Sequence, residues 1–457
     1  MKKIISYTTL LIIIFCGALP LVSSAQNSDR EYYGRPSFWR PYDQRGINVF
    51  ETNKTPDTLK YEGARVRFGA GFTQQYQSLK QENTTALNNT TSAKLYPLQS
   101  GFMTAQANLF MDIQLADGIR LNVTSYMSSR HHNETWVKGG YIQFDKLPFK
   151  GEFWTKLMEI ATIKVGHMEV NYGDAHFRRS DGGQTLYNPF MDNLIVDDFA
   201  TEIGGEVYLQ KNGLFGMVGL TGGMMRGSID SATAIKNPDG DLKRAPSIYL
   251  KGGIDKTIGD LLRVRVSGSF YHNSSNAGSG LTIFGGDRTG SNYQNVMENA
   301  PYGATLPAST AVAFSGRVNP GFSKKINAFM FNGFLKVKGL ELFGTLETAK
   351  GRTSKETVDR KMTQLAAEAV YRFGAAENLF IGARYNAVSA RLANTTAITY
   401  ANDIKVNRTA LAAGWFVTKN VEMKAEYVIQ KYKDYPTANY LSGGKFNGVV
   451  VEAVVGF

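Results

Sequence analysis

The side chains best suited to bond chemistry gather in one stretch, Gly166 to Asn193 (GHMEVNYGDAHFRRSDGGQTLYNPFMDN). Within it, His167, Glu169, Asp174 and His176 combine imidazole and carboxylate, the donor set of a zinc site. His167, however, shares the alternation of Ile163 and Val165, which turns it outward near a strand end. No metal and no cofactor are therefore expected. The remaining histidines, His131, His132 and His272, stand near expected strand ends without a serine or acid pair beside them, as a hydrolase would need. The run Gly278 to Gly290 lacks the Gly-Lys-Ser/Thr of a phosphate loop. The one cysteine, Cys16, lies in the apolar leader, which leaves the mature chain without disulfides or thiolate ligands. These residues point away from an enzyme.

What remains is charge, and the charge is spaced in twos. Ala64, Val66, Phe68, Ala70 and Phe72 alternate with Arg65, Arg67, Thr73 and Gln75, the pattern of a strand between two different environments. The same pattern recurs around Asp117-Gly118, a two-residue hairpin signal, where Ile119, Leu121 and Val123 oppose Arg120, Asn122 and Thr124. Further down, Leu262, Val264 and Val266 oppose Arg263 and Arg265, and Leu365, Ala367 and Ala369 oppose Gln364 and Glu368. Collected by parity, the polar face carries Arg65, Arg67, Arg120, Arg130, Lys164 and Lys251 in the first half. Arg263, Arg265, Arg372, Arg384, Arg408 and Lys424 follow in the second. Against them stand Asp112, Glu202, Glu206, Glu341 and Glu347, then Glu368, Glu422, Glu426 and Glu452. Positive charge spread over alternating positions is not a nucleic-acid patch, so no nucleic acid is expected as a partner.

The elements that position these residues read as sixteen strands. They fall at 60–77, 101–116, 119–130, 135–146, 160–170, 199–211, 214–227, 246–255, 261–271, 324–338, 340–349, 361–373, 379–390, 404–417, 421–431 and 446–457. Alternation is poor at 135–146, 214–227 and 246–255, and 310–318 is a candidate for one strand more. Short turns alternate with long polar stretches at 78–100, 171–198, 228–245, 272–323, 350–360, 391–403 and 432–445. One connection, 147–159, is longer than its place allows. Phe153, Trp154, Leu157, Met158 and Ala161 have helical spacing there, which predicts a short interfacial helix.

Met1 to Ala25 reads as a secretory signal, with Lys2 and Lys3 before an apolar stretch and Ser23-Ser24-Ala25 at the cleavage position. Its removal lowers the formal charge from +12 to +10. Residues 26–59 form an Arg-, Pro- and aromatic-rich lead segment, read either as a periplasmic extension or as a plug. Residues 60–457 hold the strands. No later run approaches the ~18 apolar residues of a spanning helix. If the chain crosses a membrane, it does so as a closed barrel, because lipid leaves no backbone polar group unpaired.

Two stretches carry a resemblance. The last strand, Phe446 to Phe457 (FNGVVVEAVVGF), looks like the closing strand of a bacterial outer-membrane barrel, ending on an aromatic. The Gly166-x-x-x-x-x-Tyr172-Gly173 strand end, feeding a long charged loop, is similar to porins, including the phosphate-selective O/P-like class. The resemblance implies an all-β transmembrane antiparallel barrel in the outer membrane of a Gram-negative bacterium, with short periplasmic turns and long extracellular loops. It implies that the loop after the fifth strand folds inward and places Arg178, Arg179, Asp181, Asp192, Asp197 and Asp198 at a pore constriction. It also implies a homotrimer, lipid contact, and Phe457 as the insertion signal for the barrel-assembly machinery. Sixteen strands enclose a lumen too wide for wall side chains to fill, and water is its expected content. The expected role is a passive diffusion channel for small hydrophilic solutes with weak anion preference. A lysine cluster for phosphate is missing, so the substrate does not carry over. The rival readings are an uptake channel gated by residues 26–59, an accessory barrel of a secretion or surface-assembly system, and a barrel-borne hydrolase.

Overall fold

The computed structural model describes residues 40–51, 54, 61–84, 95–103, 105–128, 135–180, 184–223, 244–259, 261–275, 283–287, 292–299 and 315–457. The signal at 1–25, most of the lead segment, Asp181, Arg130, His131, His132 and the ends of the Gly278–Gly290 run lie outside them.

The strands are β1(Arg65–Glu82), β2(Gly101–Phe102), β3(Gln106–Ala116), β4(Ile119–Ser128), β5(Thr135–Phe144), β6(Ala161–Glu169), β7(Thr201–Lys211), β8(Leu214–Thr221) and β9(Ser247–Ile258). They continue as β10(Leu262–Asn273), β11(Lys325–Val337), β12(Leu340–Arg352), β13(Arg360–Phe373), β14(Leu379–Ala390), β15(Ile404–Thr418), β16(Val421–Lys433) and β17(Lys445–Gly456). The two-residue β2 and β3 pair in succession with β1 and form one stave, broken after Phe102. Each stave pairs antiparallel with the next in sequence, and β1 pairs with β17 from Gly71↔Gly456 to Glu82↔Lys445. The result is a closed sixteen-stave barrel, as the alternation predicts. No extra strand forms over 315–318, and residues 310–314 lie outside the described set.

Closure matters because an open edge would leave a row of unpaired N–H and C=O groups. Along β11 and β12 the two faces separate cleanly: Phe331 and Leu346 are 61 % and 57 % exposed, whereas Met330 and Glu347 are 0 % and 5 %. The outward set (Phe68, Leu250, Phe329, Leu365, Leu411 and their neighbours) is the belt a bilayer covers, at roughly 1.5–3 kcal/mol for each large side chain taken fully out of water. At one end the connections are tight. Asn212-Gly213, both with positive φ (55° and 80°), has the sign pattern of a type I′ turn, which matches strand twist. The long connection predicted to be helical contains α1(Glu152–Met158), with Phe153 and Trp154 exposed on it.

The lumen departs from its expected content. A buried apolar cluster occupies it, made of inward wall residues (Ile326, Met330, Ile404, Val406, Val450) and of Tyr172, Met191, Ile195 and Val196 from the chain between β6 and β7. Tyr293 and Val296, from the connection between β10 and β11, join the same cluster. Inward positions toward the long-connection end are thus apolar, and chain rather than water fills that part of the barrel.

Candidate pore constriction

The stretch that the sequence singled out leaves the wall after β6 and returns at β7. Its neck is closed by the Val170 N–H donating to Ala200 O at 2.9 Å. A loop inside a barrel must find a partner for each backbone polar group, and the wall supplies them. The Ile195 N–H donates to Asn386 Oδ1 (2.7 Å), the Val196 N–H to Gln364 Oε1 (3.0 Å) and the Met191 N–H to Glu426 Oε2 (2.9 Å). Lys424 Nζ donates to the carbonyls of Thr185 and Asn188, both at 2.9 Å. Gly173 makes the first bend with φ +71°, and a Cβ there would collide with Met330 Sδ.

Ion pairs pin both limbs. Asp174 accepts from Arg265 at 2.8 Å and from Ser267 at 2.7 Å, and Lys251 lies 2.8 Å away. Burial acts to raise the Asp174 carboxyl, but Lys251 and Arg265 outweigh it and hold the group well below the usual carboxylate range. Arg178 bridges to Glu368 (3.1 Å) and donates to Asn48. Arg179 pairs with Asp197, which also holds Arg317, and Asp192 takes Arg408 at 3.1 Å. Burial works against Asp197 too, yet the charges of Arg179 and Arg317 keep it low. Burial and the Glu347 carboxylate push Asp198 up. Five of the six residues expected at a constriction are thus inside the barrel and buried, and the sixth, Asp181, is outside the described residues.

The expected lining residues that are described face inward, but most are engaged with the two segments inside. Arg265 and Arg408 hold the inner loop, Arg384 lies between Glu368 and the Asp192 carbonyl, and Arg372 sits on Glu341 at 2.9 Å. Arg263 pairs with Asp255 and donates to Asn48 O. Glu202 accepts from the Tyr271 hydroxyl at 2.6 Å. Arg67 stacks over the Tyr42 ring at 5.0 Å, and Arg65, half-buried, reaches Glu62 at 3.4 Å.

Residues 40–51 form the second inner segment, a role that sequence reasoning left open. The Tyr42 hydroxyl donates to Asp112 at 2.7 Å, Asn48 to Glu341 at 2.7 Å, and Glu51 pairs with Lys251 (2.9 Å) and Arg265 (2.6 Å). The Gln44 N–H donates to Lys419 O, in the turn between β15 and β16. The aromatic and arginine density of Gly34 to Gly46 was the available signal.

Open space remains on the other side. A cavity of about 230 Å³ runs between these inner segments and the wall of β3 to β7, lined by Asp112, Arg120, Lys138, Tyr141, Lys164 and Glu206 among others. One register row crosses it: Arg120↔Gln143, Gln143↔Lys164, Lys164↔Glu206. His176 borders the cavity from the loop. Burial holds its imidazole below the usual histidine range, against the pull of Glu169. His167 bonds the Thr201 hydroxyl at 2.8 Å, half-buried. Among the described residues no group of three or more His, Cys, Asp or Glu is placed to hold a metal.

No family model matches the chain, and no curated protein does. Solved structures do. An anion-selective porin from Comamonas acidovorans superimposes over 86 % of this chain and 100 % of its own, with a TM-score of 0.52 at 11 % identity. OmpF of Salmonella typhi, in complex with daunomycin, covers 87 % and 99 % with a TM-score of 0.48 at 11 % identity. The outer membrane channel DcaP of Acinetobacter baumannii covers the same shares at 12 % identity and a TM-score of 0.48. At such identities the likeness is one of fold: this chain has the barrel fold of an outer-membrane porin.

Proposed function

We propose that this barrel is a passive channel of the Gram-negative outer membrane for small hydrophilic solutes, with a weak preference for anions and no bond chemistry. The observation that carries the reading is the cavity along β3 to β7: a space lined by charged side chains, left where the inner loop and residues 40–51 do not reach the wall. Wall charges beside a narrow aqueous path set ion preference through the local potential. Arg120 and Lys164 are wall cations lining that space, whereas Glu368 pairs with Arg178 and Asp197 with Arg179, so in this reading it is the first two that bias passage. The fold likeness to an anion-selective porin agrees with this sign.

The same proposal places the tight turns in the periplasm and the long connections outside. Residues 1–25 are its removed signal. Phe457, exposed and bonded through its backbone to Ala70 at 2.9 and 3.0 Å, is the assembly signal at the seam. A homotrimer belongs to it as well and is tested by crosslinking in native membranes. Conductance of the refolded mature chain in planar bilayers under a salt gradient is the deciding measurement. Open steps with an anion-favouring reversal potential support the reading, and a cation-favouring potential overturns the preference.

A second reading has its own observation. Residues 40–51 are tied across the barrel interior by Tyr42, Gln44, Asn48 and Glu51. In this reading the segment is a hatch of an uptake channel, and steps appear only after residues 26–59 are deleted.

A further inference from the structure

Strand register sets Lys164 and Glu206 side by side on the cavity wall. Neighbouring strands lie ~4.8 Å apart, so opposite charges so placed normally pair. Here they do not. Glu206 is turned away onto two phenols, accepting from the Tyr208 hydroxyl at 2.6 Å and the Tyr249 hydroxyl at 2.9 Å. The Tyr249 ring reaches it by lying flat over Gly219, where any Cβ would overlap the ring. Lys164 Nζ is left over the rings of Tyr208 (4.7 Å) and Tyr141 (5.2 Å), and among the described residues no carboxylate pairs with it. Three other lysines of the inner wall differ: Lys138 sits on Asp287, Lys251 on Glu51 and Asp174, and Lys424 on Glu452.

We propose that Lys164, framed by Tyr141 and Tyr208, is the docking point in this cavity for small monocarboxylates that carry an apolar or aromatic body. The inference rests on the channel reading for its meaning in transport, but the site itself stands on the cavity. The ammonium supplies a charge-assisted hydrogen bond to one carboxylate oxygen. Phenol rings around a cation stabilise it without neutralising it, so it stays available to an incoming anion. The solute's body meets Phe110 and Phe199, which line the same space. Asp112, Glu169 and Glu206 also border the cavity and repel a dianion such as phosphate, while one negative charge is met by Lys164 and Arg120.

The test uses the full mature chain and 3-phenylpropionate, with its uncharged amide and inorganic phosphate as controls. Two readouts are taken: block of the chloride current in planar bilayers, and calorimetric binding to the folded barrel in detergent. The acid binds and blocks, the amide does not, and phosphate binds more weakly. Lys164→Gln weakens the acid by about tenfold or more, as loss of a hydrogen bond to a charged group does, and Lys164→Arg restores most of it. Equal binding by Lys164→Gln, by the amide or by phosphate overturns the site. If neither protein conducts, the channel reading fails, and calorimetry still decides: binding lost in Lys164→Gln keeps the site, and no binding by the unaltered chain removes it.

Discussion

The two arcs of the barrel wall use the same residue pattern for opposite ends. On the arc from β9 to β17, Lys251, Arg265, Arg384, Arg408 and Lys424 point inward, and each bonds the inner loop. On the arc from β3 to β7, Arg120 and Lys164 also point inward, but they border a cavity. The strands do not differ in kind. What differs is where the chain between β6 and β7 runs. It crosses to the far wall and spends that wall's charges on its own anchorage, and the cavity is left along the near wall.

Removing an anchor breaks the contrast most strongly. Asp174→Ala leaves Arg265 and Lys251 beside each other with Glu51 and Asp255 as their remaining counter-charges. Breaking a buried pair from one side costs about 3–5 kcal/mol. The expected outcome is a released inner loop, read as a larger single-channel conductance and new protease cleavage within 171–198.

A matched pair of lysine variants sharpens it. Lys424, fully buried, holds two loop carbonyls and Glu452 at 2.7 Å. Lys424→Gln is expected to lower the unfolding temperature of the barrel, again by about 3–5 kcal/mol of stability. Lys164→Gln is expected to leave that temperature nearly unchanged and to move the reversal potential toward cations. The reverse result, with Lys164 the structural residue, would erase the distinction between the arcs.

Acidity acts on the anchorage of the inner loop. Asp174 and Asp197 are held low by their cations, and their contribution to docking is complete above the ordinary Asp value and lost as pH falls through the depressed one. His176, lowered by burial, works in the same direction from the ordinary histidine value downward. Asp198, raised by burial and by Glu347, has the opposite sign: its contribution is complete below the ordinary Asp value and lost as pH rises through the raised one. Docking therefore weakens toward low pH through Asp174, Asp197 and His176 and toward higher pH through Asp198, and Asp198→Asn removes only the second limb, as pH titration of conductance will show. The smallest effect belongs to the rim. Lys445 and Glu82 pair at 2.8 Å but are exposed, and Lys445→Ala is expected to change stability by less than about 1 kcal/mol.

The wall was legible in the sequence because a strand's two faces are written in adjacent residues. Arg65 to Phe72 and Val421 to Ile429 each display both environments without help from elsewhere. Even the irregular connection between β5 and β6 gave its helix away through Phe153, Trp154, Leu157 and Met158. The loop's inward path was implied by resemblance, yet its bonding was not readable: Asp174 meets Arg265 across 91 positions and Asp192 meets Arg408 across 216. For the same reason Lys164 and Lys424 look alike in sequence. Both are inward lysines on alternating strands, and only the distant course of the loop decides which acquires a counter-charge. Residues 40–51 carry no strand period at all, and their place is set by Asp112, Glu341 and Lys251, each supplied by a different strand.

The seam between β1 and β17 has a consequence for the order of assembly. It joins residues near opposite ends of the barrel sequence, so it is the contact with the greatest loop-closure cost and the one least able to form early. The inner loop bonds Thr73 on one side of that seam through Thr185, and it bonds Lys424 and Glu426 just beyond the other side. It thus ties the two edges together in the finished barrel, and the expected assembly has it in place as a mould before the seam closes. A loop loosened from its anchors is expected to leave a wider passage inside the same wall and to slow its closing, so the conversion to the heat-modifiable form becomes a clock for docking.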